Sequence, residues 1–534
     1  MTEKKQILKS ASIISLVTLF SRILGYVRDQ RIALLLGTSL AADSFVLAYS
    51  IPNLFRRLVG EGSMTSSFIP VFTSYMRGKP QEEVWNFANR IFWTLALVLG
   101  VITVLGMVFS SAVIHLFTSA STNQTQWEQA VTLNRIIFPY IFFIGLSALA
   151  MGILNCFHKF GLPAATPILF NLSVIGFSTA AVWKYFKDPE ISLAVGVLVG
   201  GALQFVIQVP ALVRQGMRFE FGISFSHPAI RSVARLMVPR FFGIGIAQIN
   251  FFIDRFFLLA PRMPRGAPTS QYLADRVMEL VLGGYAIAVA TAILPMMSHQ
   301  AAANDYDALK RTLVFSMRIV AFITVPAMVG LVILREPIIR ILFQHGQFLA
   351  DSTRLTARAL LYSALGLPAL ASIKLIVPAF YSTNDTRTPV IAAGISLLLN
   401  IILNLVFLDF FFKRFQNGGP ALATALASFF DFIVLFVIFR VRYGALGTLD
   451  ILRSFGKITV CAAIMGVACA LALHYTQFTL QSAFGVQLMY FAGTVLGATL
   501  LYLAVAWMLR CREVEEVYGI ALQGARGAGG VSES

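Results

Sequence analysis

The chain is 534 residues long, 57% hydrophobic and 13% charged, with a mean hydropathy of +0.77. That is more apolar surface than a water-soluble core can absorb, so the composition excludes an ordinary soluble enzyme and implies a polytopic membrane protein. The net charge of +17 falls on alternate loops rather than in one stripe, which argues for membrane topology and against a nucleic-acid partner.

Apolar runs of about 20 residues recur along the chain, roughly 14 of them, each long enough to cross a hydrocarbon layer about 30 Å thick. Helices satisfy their own backbone groups in lipid, and the runs lack the two-residue alternation of a barrel strand. The predicted class is therefore an all-α polytopic membrane protein of about 14 transmembrane helices.

The first run, 13–36, follows Lys4, Lys5 and Lys9 and lacks a small-residue cleavage site, so it reads as an uncleaved span. Its motif SRILGYVRD holds Arg22, Arg28 and Asp29. Arginine at the bilayer centre costs about 3 kcal/mol, so such residues are expected to face a polar interior, where they can hold an anion. Arg22 shares a helix face with Gly25 and Asp29, while Arg28 points about 120° away. The competing reading is that Arg22 and Arg28 only pair with Asp29 and Asp43 as structural ion pairs.

The second run carries Asp43 and then IPNLFRRLVGEG, with Arg56 near its end. Pro52 removes a backbone donor and Gly60 and Gly62 loosen the helix, which marks this span as a moving element. Beyond it, Arg77 and Lys79, then Arg214, Arg218, Arg231 and Arg235, make every second loop basic, while 118–129 is poor in Lys and Arg. Lys310 and Arg311, then Arg440, Arg442, Arg453 and Lys457, then Arg510 and Arg512 continue the basic side, so both termini are expected in the cytoplasm. The four cysteines show no CxxC spacing and the six histidines are isolated, so neither a disulfide framework nor a metal site is expected.

The second half repeats the first. FIPVFTS at 68–74 returns as ILPMMSH at 293–299, Asp29 returns as Asp254 at the same offset, and 157–167 echoes 380–389. Two six-helix lobes in parallel orientation follow, with residues 1–225 and 226–445 as the lobes and a substrate site expected between them. Two additional spans fill 446–512, and 513–534, rich in Gly, Ser and Glu, reads as a disordered cytoplasmic tail. In the second lobe YLADRVMEL supplies Arg276 and Glu279, close enough at i+3 to form a local salt bridge instead of a substrate contact.

Guanidinium forks bind phosphate oxygens in pairs and keep their charge in an apolar site, so a phosphate or pyrophosphate is the matching ligand. The acids are scattered among arginines rather than clustered for magnesium, which argues against an intramembrane phosphotransferase. No GxxxxGK[ST] phosphate loop is present, so no cofactor is expected. A pyrophosphate with about two charges moving outward across ~100 mV would gain roughly 4 to 5 kcal/mol from the membrane potential.

The segments SRILGYVRD, AADSFVLAYSIPNLFRRLVGEGSMTSSFIPVF, YLADRVMEL, LFQHGQF and FYSTNDTRTPV resemble those of the MurJ (MviN) family of lipid II flippases, in the multidrug/oligosaccharidyl-lipid/polysaccharide exporter superfamily. The resemblance runs in order from about residue 9 to 510. It implies a bacterial inner-membrane protein that moves the undecaprenyl-pyrophosphate-linked disaccharide-pentapeptide from the cytoplasmic to the periplasmic leaflet, with lipid II and membrane lipids as its partners. By the same resemblance Arg22, Arg28, Arg56 and Arg276 and the acids Asp29 and Asp43 are functional, and the two last helices guide the lipid tail. Some relatives bind sodium, for which Asp254, Asn400, Asn404 and Thr424 stand at matching positions; a second carboxylate is replaced by Asn404, so sodium stays unassigned and coupling to the membrane potential or a monovalent cation stays open. An exporter of another lipid-linked saccharide, or of a drug, is the alternative within the superfamily.

Overall fold

The computed structural model describes residues 3–58, 64–118, 123–283, 287–475, 484–514 and 516, and the described residues are almost wholly helical. They divide into two compact units, 1–269 with 345–349, and 270–344 with 350–534. Unit 1 holds α1 (Glu3–Leu36), α2 (Leu40–Phe55), α3 (Met64–Gly78), α4 (Gln81–Val108), α5 (Ser110–Leu116), α6 (Gln124–Ile137), α7 (Tyr140–Cys156), α8 (Gly161–Val182), α9 (Pro189–Val206), α10 (Val209–Arg214) and α11 (Pro228–Leu258). Unit 2 holds α12 (Ala267–Val281) from Ser270 onward, α13 (Ile287–Ala302), α14 (Tyr306–Ile333), α15 (Arg335–Phe343), α16 (Ala350–Leu365), α17 (Leu367–Ser382), α18 (Arg387–Asp409), α19 (Phe412–Phe415), α20 (Gly419–Tyr443), α21 (Thr448–Tyr475) and α22 (Phe484–Met508).

The internal repeat is visible element by element. α1 opens at residue 3 and α11 at 228; α4 opens at 81 and α14 at 306; α5 opens at 110 and α15 at 335. Each pair lies 225 residues apart. The turn after α7 places His158 at φ 58°, and the matching turn after α17 places Asn384 at φ 61°, so the loosest of the three sequence echoes is the same left-handed corner used twice. α2 and α12 are 16 and 15 residues long, too short to cross a bilayer alone, and each ends in a wider π-type turn, at 56–58 and 282–283. In α2 the break follows Pro52, which cannot donate to the ladder. Gly60, Glu61 and Gly62, expected to loosen this span further, lie outside the described residues.

Nine helical segments among the described residues are long and apolar enough to cross a membrane, or ten if the pair α16–α17, bent by 44°, is one span. Unit 1 packs around two apolar cores. One joins Ile32 and Leu36 of α1 to Phe45 and Tyr49 of α2 and to Phe170, Val174, Leu193 and Val197 of α8 and α9. Glycine allows the closest approach there: a Cβ on Gly200 would lie 2.9 Å from the Phe170 ring. The other gathers Phe68, Phe72, Phe87 and Leu149 from α3, α4 and α7. In unit 2 the two additional helices dock on α14, where Ile458, Cys461, Met465 and Tyr502 are buried against Phe322 and Val325, and the Tyr502 hydroxyl donates to the Phe322 carbonyl at 2.7 Å.

Glu513, placed at the start of the expected tail, is 2% exposed; it accepts from Arg318 Nε at 2.7 Å and from the Ser454 hydroxyl at 2.5 Å. Burial pushes its carboxyl up, but these hydrogen bonds and the Arg318 charge outweigh it and hold the group below the usual carboxylate range. Residues 517–534 lie outside the described part.

Candidate functional site

α1 is one continuous helix, and α8 fixes it at the level of the arginine motif. Arg28 is 8% exposed and Asp29 3%. Arg28 donates through Nε at 2.9 Å and through a terminal nitrogen at 2.7 Å to Asp29 Oδ1, and through its other terminal nitrogen at 3.0 Å to Asn171 Oδ1. The guanidinium also lies 5.5 Å from the centre of the Phe170 ring. Asn171 turns its amide back to donate to the Ser21 carbonyl at 3.0 Å. A single α8 side chain thus holds both the Arg28 head and the backbone beside Arg22.

Arg28 is in a buried ion pair with Asp29, and Arg22 is exposed on the same helix. Asp43 pairs with no arginine among the described residues. It is 2% exposed and accepts from the Gly266 N–H at 2.7 Å, the Thr269 N–H at 3.1 Å and the Thr269 hydroxyl at 2.7 Å. A buried carboxyl group that takes three donors is a clasp, holding the start of α2 to the chain around Gly266 and Thr269.

Arg56, at the π-type turn that ends α2, is half-buried and donates through Nε to Asn53 Oδ1 at 2.9 Å. In unit 2, Arg276 donates to Glu279 at 2.5 Å and to the Tyr272 hydroxyl at 3.2 Å, with its guanidinium 4.9 Å from the Tyr272 ring centre. The local i+3 pairing is present, and both side chains keep solvent access, 24% for Arg276 and 49% for Glu279. Arg276 is thus held by its neighbours without being closed off.

Three of the sodium candidates meet in unit 2. Asn400 donates to the Thr424 hydroxyl at 2.9 Å, and Asn404 donates to the Asn400 side-chain and backbone oxygens at 3.0 Å each, deep between α18 and α20. Asp254, on α11, is half-buried. Among the described residues no group of three or more His, Cys, Asp or Glu is placed to hold a metal ion.

Three participants escaped the sequence reading. Asn171 is one amide in an apolar helix, and no spacing rule pairs it with Arg28 across 143 residues. Arg31 donates to the Ser178 and Thr179 hydroxyls, both at 3.2 Å. Arg255 was legible, standing beside Asp254 in the apolar run FFIDRFF; it is 4% exposed and donates to the Val46 carbonyl at 3.1 Å and to the Ser50 hydroxyl.

The motif FYSTNDTRTPV turns from the end of α17 into the start of α18, with Asp385 in the corner between the two helices. Asp385 accepts from the Arg387 and Thr388 N–H groups and the Thr388 hydroxyl, and pairs with Arg442 at the end of α20. Burial pushes the Asp385 carboxyl up, but the Thr388 and Arg442 contacts outweigh it and hold it below the usual carboxylate range. LFQHGQF places Gly346 at φ 60° and lets Gln347 donate to the Leu34 carbonyl at the end of α1 at 2.9 Å.

A family model described as lipid II flippase MurJ matches residues 32–490. The chain is similar to a probable lipid II flippase MurJ of Vibrio cholerae, 34% identical over 82% of this chain and 83% of the relative. It is likewise similar to the lipid II flippase MurJ of Burkholderia cenocepacia, 31% identical over 92% of this chain and 95% of the relative. Among solved structures, a lipid II flippase MurJ in an inward closed conformation superposes with a TM-score of 0.77 at 29% identity, covering 93% of this chain and 98% of that one. An inward-facing multidrug resistance transporter of the MATE family, 16% identical with a TM-score of 0.66 over 81% of this chain and 99% of that one, shares the fold.

Proposed function

Given that the chain belongs to the lipid II flippase MurJ family, we propose how its own residues carry that activity. The protein is a multi-pass membrane flippase of lipid II, a disaccharide-pentapeptide on an undecaprenyl pyrophosphate. It works in the bacterial inner membrane with both termini in the cytoplasm, and it moves the head group from the cytoplasmic to the periplasmic leaflet by alternating access. Arg22, Arg56 and Arg276 supply the forks that bind the pyrophosphate oxygens.

The observation that carries this assignment is the Asn171 bridge. It spends Arg28 and Asp29 on fixing α1 to α8, and so presents Arg22 from a rigid helix. Arg28, Asp29 and Asp43 are positioning residues in this account, and Glu279 holds Arg276. The membrane potential supplies the outward drive of roughly 4 to 5 kcal/mol for two charges at ~100 mV.

The test is leaflet sidedness. In cells depleted of this protein, lipid II should accumulate where an externally added probe cannot reach it, and the native chain should restore access. Unchanged access on depletion would contradict the reading.

A further inference from the structure

At one end of unit 2, the start of α14, the start of α21 and the segment after α22 enclose a cavity of about 340 Å³, within the size range of small-ligand sites. Four cations line it. Lys310 is paired with Asp307 at 2.8 Å and Arg318 with the buried Glu513 at 2.7 Å. Arg311 and Arg512 are exposed, and no carboxylate among the described residues lies within 4.0 Å of either. The first turns of α14 and α21 add the positive ends of two long helices, with Gly447 at φ 61° bringing the α21 end to the wall.

We propose that this cavity binds a phosphoglycerol group, with Arg311 and Arg512 on the phosphate oxygens and Asp450 on the glycerol hydroxyls. Two exposed guanidinium groups with no carboxylate within 4.0 Å among the described residues suit an anion with several oxygens. Among the described residues Asp450 is the lining carboxylate not joined to a lysine or arginine; it is exposed at the rim and can only accept, so a ligand that carries hydroxyl donors beside its phosphate uses the whole lining. A bare phosphate lacks enough of these. Val314 and Phe315 continue the lining about one helical turn further along the apolar α14, which suits a glycerol ester leading into hydrocarbon. Anionic phosphatidylglycerol and soluble glycerol phosphate share this chemistry. The site shares no residue with the arginines assigned to lipid II, and its test does not depend on them.

The purified full chain is titrated in phosphatidylcholine micelles with phosphatidylglycerol, with phosphatidic acid, and with glycerol 3-phosphate as a competitor. The native chain should prefer phosphatidylglycerol over both other lipids. Arg311→Gln with Arg512→Gln should weaken that binding at least about tenfold, while the Lys pair keeps part of it. Asp450→Asn should narrow the preference over phosphatidic acid. Displacement by glycerol 3-phosphate supports the site and assigns it to the soluble ligand; its failure to displace supports the site and assigns it to the bilayer. Equal phosphatidylglycerol binding by the native chain and the Gln pair, at matched melting temperatures in phosphatidylcholine, would overturn the proposal.

Discussion

Asp43 and Thr269 lie 226 residues apart, one position off the 225-residue register of the repeat, and are hydrogen-bonded to each other: the Asp43 carboxylate accepts the Thr269 N–H at 3.1 Å and its hydroxyl at 2.7 Å. Thr269→Val should cost about 1 to 3 kcal/mol by leaving a buried carboxylate oxygen short of a donor. Asp43→Asn should cost a similar amount, and the double variant should lose less than the sum, with a coupling of about 1 kcal/mol or more. Melting curves in mild detergent give these values. Additive losses would mean that the contact contributes nothing of its own.

Arg28→Ala should destabilise the protein by about 3 to 5 kcal/mol, because it strands Asp29 in a buried site. Arg28→Ala with Asp29→Ala should recover much of that loss. Arg22→Ala, at an exposed position, should change stability by no more than about 0.5 kcal/mol and act on transport alone. A stable Arg28→Ala single variant would contradict the ion-pair assignment.

The Asp385 corner predicts a pH dependence. Its folded pKa lies below the ordinary value of 3.8, so the unfolded chain binds the proton first as pH falls. The stabilisation is complete above the ordinary value and is lost as pH drops through the folded one. The melting-temperature gap between the native chain and Asp385→Asn should therefore be widest near neutral pH and close in strong acid. A gap that grows on acidification has the wrong sign.

Removing 518–534 should leave stability unchanged, whereas Glu513→Ala should lower it by about 3 kcal/mol or more by leaving the mostly buried Arg318 without its closest carboxylate. Thermal unfolding of the two variants side by side distinguishes a packed residue from the tail beyond it.

Much of this was legible in the chain. Twenty-residue apolar runs imply spans because hydrocarbon thickness sets their length, and the 225-residue echo returns in matching helix starts, with left-handed corners at His158 and Asn384, one position off that register. Arg276 and Glu279 could be read as a pair because i+3 neighbours meet on any helix. The Arg28 contact to Asn171 could not, since it depends on how α8 packs against α1, and a lone amide carries no periodic signal. The Asp43 contacts were not legible either: two of its three donors are backbone groups, which every residue carries and no sequence pattern marks. The start of the tail moved past Glu513 because composition averages over many residues, while one buried ion pair is decided by a single side chain.

The most direct measurement is lipid II translocation by the purified chain in vesicles under an imposed potential, compared with Arg22→Ala, Arg22→Lys and Arg276→Ala. The account predicts export by the native chain, near-complete loss in both Ala variants at unchanged melting temperature, and partial rescue by lysine, which keeps the charge but not the fork. Full export by both Ala variants would contradict the claim that these arginines bind the pyrophosphate.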